Sequence, residues 1–254
     1  MSGKKKTFIN LIIIIAVEFF LVAGVVWFFD PFYQYHEPFF DMEAVLNDRD
    51  NQMPGTIRNF QYDTLLVGSS VAENFDTDYL DNQYGCKALK VIRASGSAAD
   101  LLYYVEMAES ERELREIFWC LDIFALNVSA EVTLYGDDIP RYLHTKTVLD
   151  DLPYVFNKEV LFEKIPAAVV SSIKGINTGG QAYNWAADKD FSAAGAMRFY
   201  DRPTDLEGDV VQADITEEYA DTVRKNVELL SEQISAHPEI QYHFMIPPYS
   251  MLWW

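Results

Sequence analysis

An alternation of short apolar runs with helix-forming stretches constrains this chain more than anything else in it. The runs are 63–67 (DTLLV), 88–92 (ALKVI), 117–121 (IFWCL) and 241–246 (QYHFMI). Each is too short for a helix and is followed by polar, turn-forming residues, as a buried strand would be. Residues 98–115 read as a helix with an acidic outer face. Residues 216–236 read as a long helix with Thr216 and acidic residues at its start, stopped by His237-Pro238. Strands alternating with helices predict an α/β fold, a parallel sheet with helices on both faces. Ligands of such sheets bind beyond the carboxyl ends of the strands. Ser69-Ser70, Ser95-Gly96-Ser97, Asp122 and Tyr249-Ser250 all fall at that edge, so a site is expected there.

The amino terminus predicts a membrane anchor. Lys4, Lys5 and Lys6 precede an apolar run over 8–29 broken only by Asn10 and Glu18. About 22 helical residues rise roughly 33 Å, the thickness of a hydrocarbon core. Lysines ahead of the run keep residues 1–6 in the cytoplasm and put the rest outside, so the chain is expected as a single-pass protein of the cell membrane. A cleaved signal peptide is the rival. Its apolar region is shorter and ends in small residues, whereas this run ends Val-Val-Trp-Phe-Phe-Asp-Pro. A carboxylate such as Glu18 costs a few kcal/mol near mid-membrane, so it is expected protonated, paired with another helix, or functional.

Residues 30–62 mix aromatics, prolines and turn formers without a period, and read as a collar between the anchor (7–29) and the domain (63–254). Residues 128–214 do not continue the strand–helix alternation and read as an insertion, either a lid over the active edge or surface decoration. Within it, 149–157 and 158–174 look helical, limited by Pro153 and Pro166, and 178–187 looks loop-like.

Charge narrows the function. The chain carries 20 basic and 39 acidic residues, a net −19. Without the three lysines and Glu18 of the anchor, the outer part keeps 17 and 38, or −21. That excludes nucleic acid as a partner and disfavours docking of the domain on anionic lipid heads. Cys86 and Cys120 cannot build a disulfide framework and have no zinc-type spacing. They are expected as small buried apolar residues. No cofactor or metal is expected.

Gly68-Ser69-Ser70 at a strand end is compatible with a plain turn, a phosphate loop or a presented nucleophile. The glycine pattern and lysine of a phosphate loop are missing, which also disfavours a nucleotide-binding sheet. Gly96, just ahead of a helix start, suits a backbone donor to an oxyanion, together with the Ser70 amide.

These residues resemble the SGNH/GDSL hydrolase superfamily. The Gly-Ser-Ser form is similar to its membrane-anchored extracytoplasmic branch, which includes DltD-like proteins of teichoic-acid D-alanylation and polysaccharide O-acetyltransfer domains. The stretches DPFYQYHEPF, NFQYDTLLVGSSVAENF and MIPPYSMLWW also look like membrane-anchored proteins of Gram-positive bacteria. The resemblance covers 30–127 and 215–254 and hardly touches the insertion. It implies a parallel-sheet three-layer sandwich of flavodoxin-like type, with Ser70 as nucleophile and Gly96 as oxyanion donor. Asp122 stands near the third-block position, where the family has an asparagine. A carboxylate donates there only if protonated, and Asn127 lies five residues on.

The family's last block, an Asp-x-x-His supplying the base and its orienting partner, does not occur in the sequence. Of the four histidines, His36 lies in the collar, His144 in the insertion, His237 at a helix end and His243 inside a strand. The Leu-Trp-Trp ending after the fourth strand reads as a truncation that removes the catalytic block. The resemblance thus implies a membrane-anchored serine esterase or O-acyltransferase acting on cell-envelope glycans or polymers. The alternative is a non-catalytic envelope-binding or scaffold protein on the same fold.

Overall fold

The computed structural model describes residues 3–40, 42–134, 139–186, 189–190, 192–199 and 216–247. The chain opens with α1 (Gly3–Phe29), long and apolar enough to cross a membrane. Only 6% of its most apolar window is buried, so it is not the core helix of the domain.

The domain is α/β, built on four parallel strands: β1 (Thr64–Gly68), β2 (Ala88–Ile92), β3 (Glu116–Cys120) and β4 (Gln241–Met245). They lie in the order β2-β1-β3-β4. Gly68 is in register with Ile92 on one side and Cys120 on the other, and Cys120 with Met245. All four runs expected as strands are strands, displaced by a residue at most. All five residues of β1 are buried, because it is hydrogen-bonded on both sides and covered on both faces. From β1 the chain moves one way to β2, then crosses back to β3, so its direction reverses between β1 and β3.

Helices lie on both faces, as right-handed crossovers in opposite directions require. α2 (Arg49–Asn59) precedes the sheet. α3 (Thr77–Tyr84) joins β1 to β2, and α4 (Ala98–Glu111) joins β2 to β3. The Asp76 side chain caps α3, which ends at left-handed Gly85. A capping box of Ser97 and Asp100 starts α4, and Leu101, Tyr104, Val105 and Ala108 form its buried stripe at helical spacing. α4 ends four residues before the expected 115. Arg112 turns extended there and donates to the Arg58 and Phe60 carbonyls. The insertion contributes α5 (Leu152–Val155), α6 (Ile165–Lys174) and α7 (Ala193–Phe199), and α8 (Thr216–Ala236) leads to β4. α8 begins at the expected residue, but the Thr216 side chain lies outside the described ones, as do Tyr249-Ser250 and the Leu-Trp-Trp ending.

α8 packs on α4, where Gln233 bonds Glu109 and the Tyr242 hydroxyl. On the opposite face, Tyr84 of α3 meets the rings of Phe118 and His243. There a groove of ≈ 360 Å³ remains over β3 and β4, lined by Tyr79, Leu80, Tyr84, Phe118, His243 and Met245 among others.

The collar corrects one expectation, because 30–62 contains α2. Its sequence RDNQMPGTIRN holds both Pro54 and Gly55, the two weakest helix formers. Tertiary contacts hold it instead. The buried Gln52 amide accepts from Asn47 and Asp48 N–H and donates to the Pro31 and Val45 carbonyls. Asn59 donates to the Tyr33 carbonyl. Gly55 lies so close to the Phe32 and Tyr33 carbonyls that a Cβ would collide with backbone.

At the exit of α1, buried Asp30 accepts from Gln34 N–H at 3.0 Å, Tyr35 N–H at 2.7 Å, His36 N–H at 3.2 Å and the Tyr154 hydroxyl at 2.7 Å. Burial pushes its carboxyl up to about 6 in spite of these donors. In the insertion, Pro153 sits in the first turn of α5, where a missing N–H costs little, whereas Pro166 lies inside a helix that runs unbroken over 158–174. A π-helical turn over Val160–Lys164 leads into α6.

Two outcomes follow from the collar. Gly→Ala in an exposed helix interior gains roughly 1 kcal/mol, but Gly55→Ala is expected to lose about 1–3 kcal/mol through backbone displacement, read by thermal unfolding in detergent micelles. Asp30 binds its proton more tightly folded than unfolded, so its contribution is complete below about pH 4 and lost as pH rises through about 6. Stability of the wild type relative to Asp30→Asn is therefore expected to fall between those values; a pH-independent difference would contradict the placement of this carboxyl.

Candidate functional site

The site is built by the exits of three adjacent strands. β1 ends on Gly68, where a Cβ would stand 2.7 Å from the Ala72 Cβ and 3.1 Å from Cys120. Only glycine lets the chain turn so close to β3, which gives the Gly-Ser-Ser motif a packing reason. Ser69 is buried and donates its hydroxyl to Asp122 Oδ2 at 3.1 Å, while its oxygen accepts from Val71 N–H at 3.4 Å. Asp122, also buried, accepts from Phe124 N–H at 2.9 Å through Oδ1 and caps the 3-10 turn Ile123–Leu126. The strand ends on either side of the chain reversal are thus joined by one serine–carboxylate bond. The other side is tied by the backbone, Arg93 N–H donating to the Gly68 carbonyl at 3.1 Å.

Ser70, expected as the nucleophile, is half-buried at the rim. Among the described residues its hydroxyl has no hydrogen-bond partner, so of the two serines in the motif it is the one whose Oγ is not already committed. Its carbonyl accepts from the Trp185 indole N–H at 2.9 Å, and Ala186 N–H donates to Asn74 Oδ1 at 3.1 Å. The insertion therefore touches the strand exits. Gly96, expected as oxyanion donor, is buried in the turn after β2. Its N–H donates to the Arg93 carbonyl at 3.1 Å, it packs against the Arg93 side chain, and the preceding Ser95 has φ 54°. Ser70 and Gly96 share the same sheet edge on neighbouring strands, but the Gly96 amide is spent on its own turn. Asp122 lies at the third exit, bonded to Ser69 rather than Ser70.

The histidines are occupied elsewhere. His36 contacts the Glu37 and Trp27 carbonyls. His144 meets the Tyr103 hydroxyl, with burial pushing it down to about 4. His237 faces Glu109 and Glu239. His243 stacks on Phe118 and reaches Glu116, at the entry rather than the exit of β3. Cys120 is buried and Cys86 half-buried; burial raises the Cys120 thiol to about 11, so it stays protonated and is a poor nucleophile at neutral pH. Among the described residues no group of three His, Cys, Asp or Glu side chains is placed to hold a metal ion.

Two residues near this edge escaped the sequence reading. Lys90, in the middle of β2, is buried; its Nζ donates to the Glu73 carbonyl at 2.8 Å and the Ala182 carbonyl at 2.6 Å. Burial pushes this amine down to about 8, against the pull of Asp76, Glu73 and Asp78. A cation inside an apolar strand was the signal that could have found it. Trp185 had no such signal, since nothing local says where its loop returns.

No family model, curated protein or solved structure matches this chain.

If the Ser69–Asp122 bond joins the exits of β1 and β3, Ser69→Ala and Asp122→Ala are each expected to destabilise. Asp122→Ala loses more because it also strips the cap from Phe124 N–H. A double-mutant cycle read by thermal unfolding is expected to give a coupling of about 1–2 kcal/mol; additive losses would mean that the bond does not form.

Proposed function

We propose that this chain is a membrane-anchored extracytoplasmic serine esterase or O-acyltransferase of SGNH type, acting on cell-envelope glycans or polymers. One observation carries the reading. The uncommitted Ser70 hydroxyl stands at the carboxyl end of the central strand, next to the chain reversal where open parallel sheets bind ligands. The order β2-β1-β3-β4 is that of flavodoxin-like sheets, in keeping with an SGNH sandwich.

In this reading Ser70 Oγ attacks an ester carbonyl and takes the acyl group. The bond to the donor's alcohol oxygen breaks and the alcohol leaves with the proton, and the Ser70 amide steadies the carbonyl oxygen that becomes negative. Asp122 positions the turn through Ser69 and does not touch substrate. Gly96 N–H has to leave the Arg93 carbonyl, a bond worth about 1 kcal/mol, before it serves as a second donor. The hydroxyl proton needs a base, which the described histidines do not provide where they stand. The lysines ahead of α1 orient the domain outside the cell. Its −21 charge repels bare polyanions and favours neutral glycans or acyl carriers as substrates.

A non-catalytic envelope-binding role on the same fold is favoured by two specific observations, the engaged Gly96 amide and the histidines bonded elsewhere. Labelling of the full chain with a fluorophosphonate separates the two. The enzymatic reading expects labelling that disappears in Ser70→Ala. Equal labelling of both proteins removes Ser70 as nucleophile, and labelling of neither supports the binding role.

A further inference from the structure

We infer that residues 148–176 form a second membrane contact, an apolar pad that enters the hydrocarbon of the leaflet on the domain's side, next to α1. The inference rests on the reading of α1 as a membrane-spanning helix.

The helix running into α6 is apolar on its outward side as well as on the side that packs against the domain. Phe162, Pro166, Val170 and Ile173 recur at steps of four, four and three, so they form one stripe, and that stripe faces outward. Phe162 is 77% and Ile173 81% exposed, and Pro166 and Val170 are exposed with them. The inward side buries Val160 and Ile165 and also carries Lys164, whose Nζ lies on Asp48 Oδ2 at 2.8 Å. Upstream of it, Val148, at 77%, and Leu149 are also exposed. A soluble domain rarely shows apolar side chains gathered in this way without a partner.

The partner is named by where the pad sits. Tyr154 bonds Asp30 at the exit of α1 and stacks on Phe32 with ring centroids 5.2 Å apart. Val160 and Ile165 share a buried cluster with Val26 of α1. Furthest along, the Phe156 ring lies 4.7 Å from that of Phe19. Phe19 precedes the end of α1 by ten residues, about 15 Å of helix. Were this contact in water, only the residues up to Glu18 would remain to cross the membrane, about 16 Å of apolar helix against a core of roughly 30 Å. With the last turn and a half of α1 in the headgroup layer, the contact lies about 7 Å inside the hydrocarbon, the depth at which interfacial helices bury their apolar faces. The exposed Lys158 and Lys174 can extend to the headgroups. Exposed Asp150, Glu159 and Glu163 need water and keep the pad from sinking deeper.

The test uses the full chain in phosphatidylcholine–phosphatidylglycerol liposomes, with Cys86→Ser and Cys120→Ala as background. Spin labels are placed one at a time by Phe162→Cys, Ile173→Cys, Ile14→Cys and Val227→Cys, all at exposed positions. Collision with oxygen, which concentrates in lipid, is compared with collision with a water-soluble nickel chelate. The labels at 162 and 173 are expected to show an oxygen-to-nickel ratio several-fold above the label at 227 on α8, together with the label at 14. A high ratio at 14 with 162 and 173 equal to 227 overturns the pad and leaves the anchor standing. A ratio at 14 equal to that at 227 overturns the anchor and the pad with it.

Discussion

The structure depends on β1 being a strand with no exposed side. It is hydrogen-bonded to β2 and β3, and its five residues are buried. Burying the backbone of such a strand is tolerable only because both of its ladders are complete, since unpaired buried amides and carbonyls cost too much. Two neighbours in a parallel sheet require two crossovers in opposite directions, which puts α3 on one face and α4 with α8 on the other. The same requirement leaves a gap between the exits of β1 and β3, where the crossovers part. Ser69, Ser70 and Asp122 occupy it, with Gly68 lowering the chain into position because anything larger would meet Ala72 and Cys120.

A second constraint acts at the exit of α1. Asp30 is buried, and three backbone amides and the Tyr154 hydroxyl surround it. A desolvated carboxylate without such donors would be too costly to keep. These bonds turn the chain sharply out of α1 and fasten the insertion to the exit of the helix. The insertion is tied at several places, among them α1 and its exit through Phe156 and Tyr154, α4 through Thr133 on Asp100, and the strand exits through Trp185. The segment that approaches Ser70 and the segment that lies against α1 belong to the same insertion.

Much of the domain was legible because strands in a parallel sheet are apolar on both faces and announce themselves as short runs. TLLVG, ALKVI, EIFWC and QYHFM lie within a residue of where pattern alone puts them. α2 was not legible, since Pro54 and Gly55 argue against a helix and the contacts that override them come from Pro31, Phe32, Tyr33 and Val45. Of the site, the convergence of Ser70, Gly96 and Asp122 on one edge was readable, because strand ends in a parallel sheet must share an edge. Their bonding was not. Residue type suggested an amide open at Gly96 and a role for Asp122 at the third strand exit; the tertiary structure spends the first on the Arg93 carbonyl and the second on Ser69 and Phe124.

The sequence by itself determined the long apolar helix, the α/β class with its parallel sheet, the acidic net charge and the shared sheet edge of Ser70, Gly96 and Asp122. These follow from period, length and charge, which are properties of neighbours along the chain. Only the tertiary structure decided which of two adjacent serines keeps an uncommitted hydroxyl, where Lys90 finds its acceptors, and that the outward stripe of α6 stands next to α1. Those outcomes depend on groups brought together across tens of residues, such as the 53 that separate Ser69 from Asp122. No local pattern records such a meeting, because its stability comes from the burial and hydrogen bonds that exist only once the chain has closed.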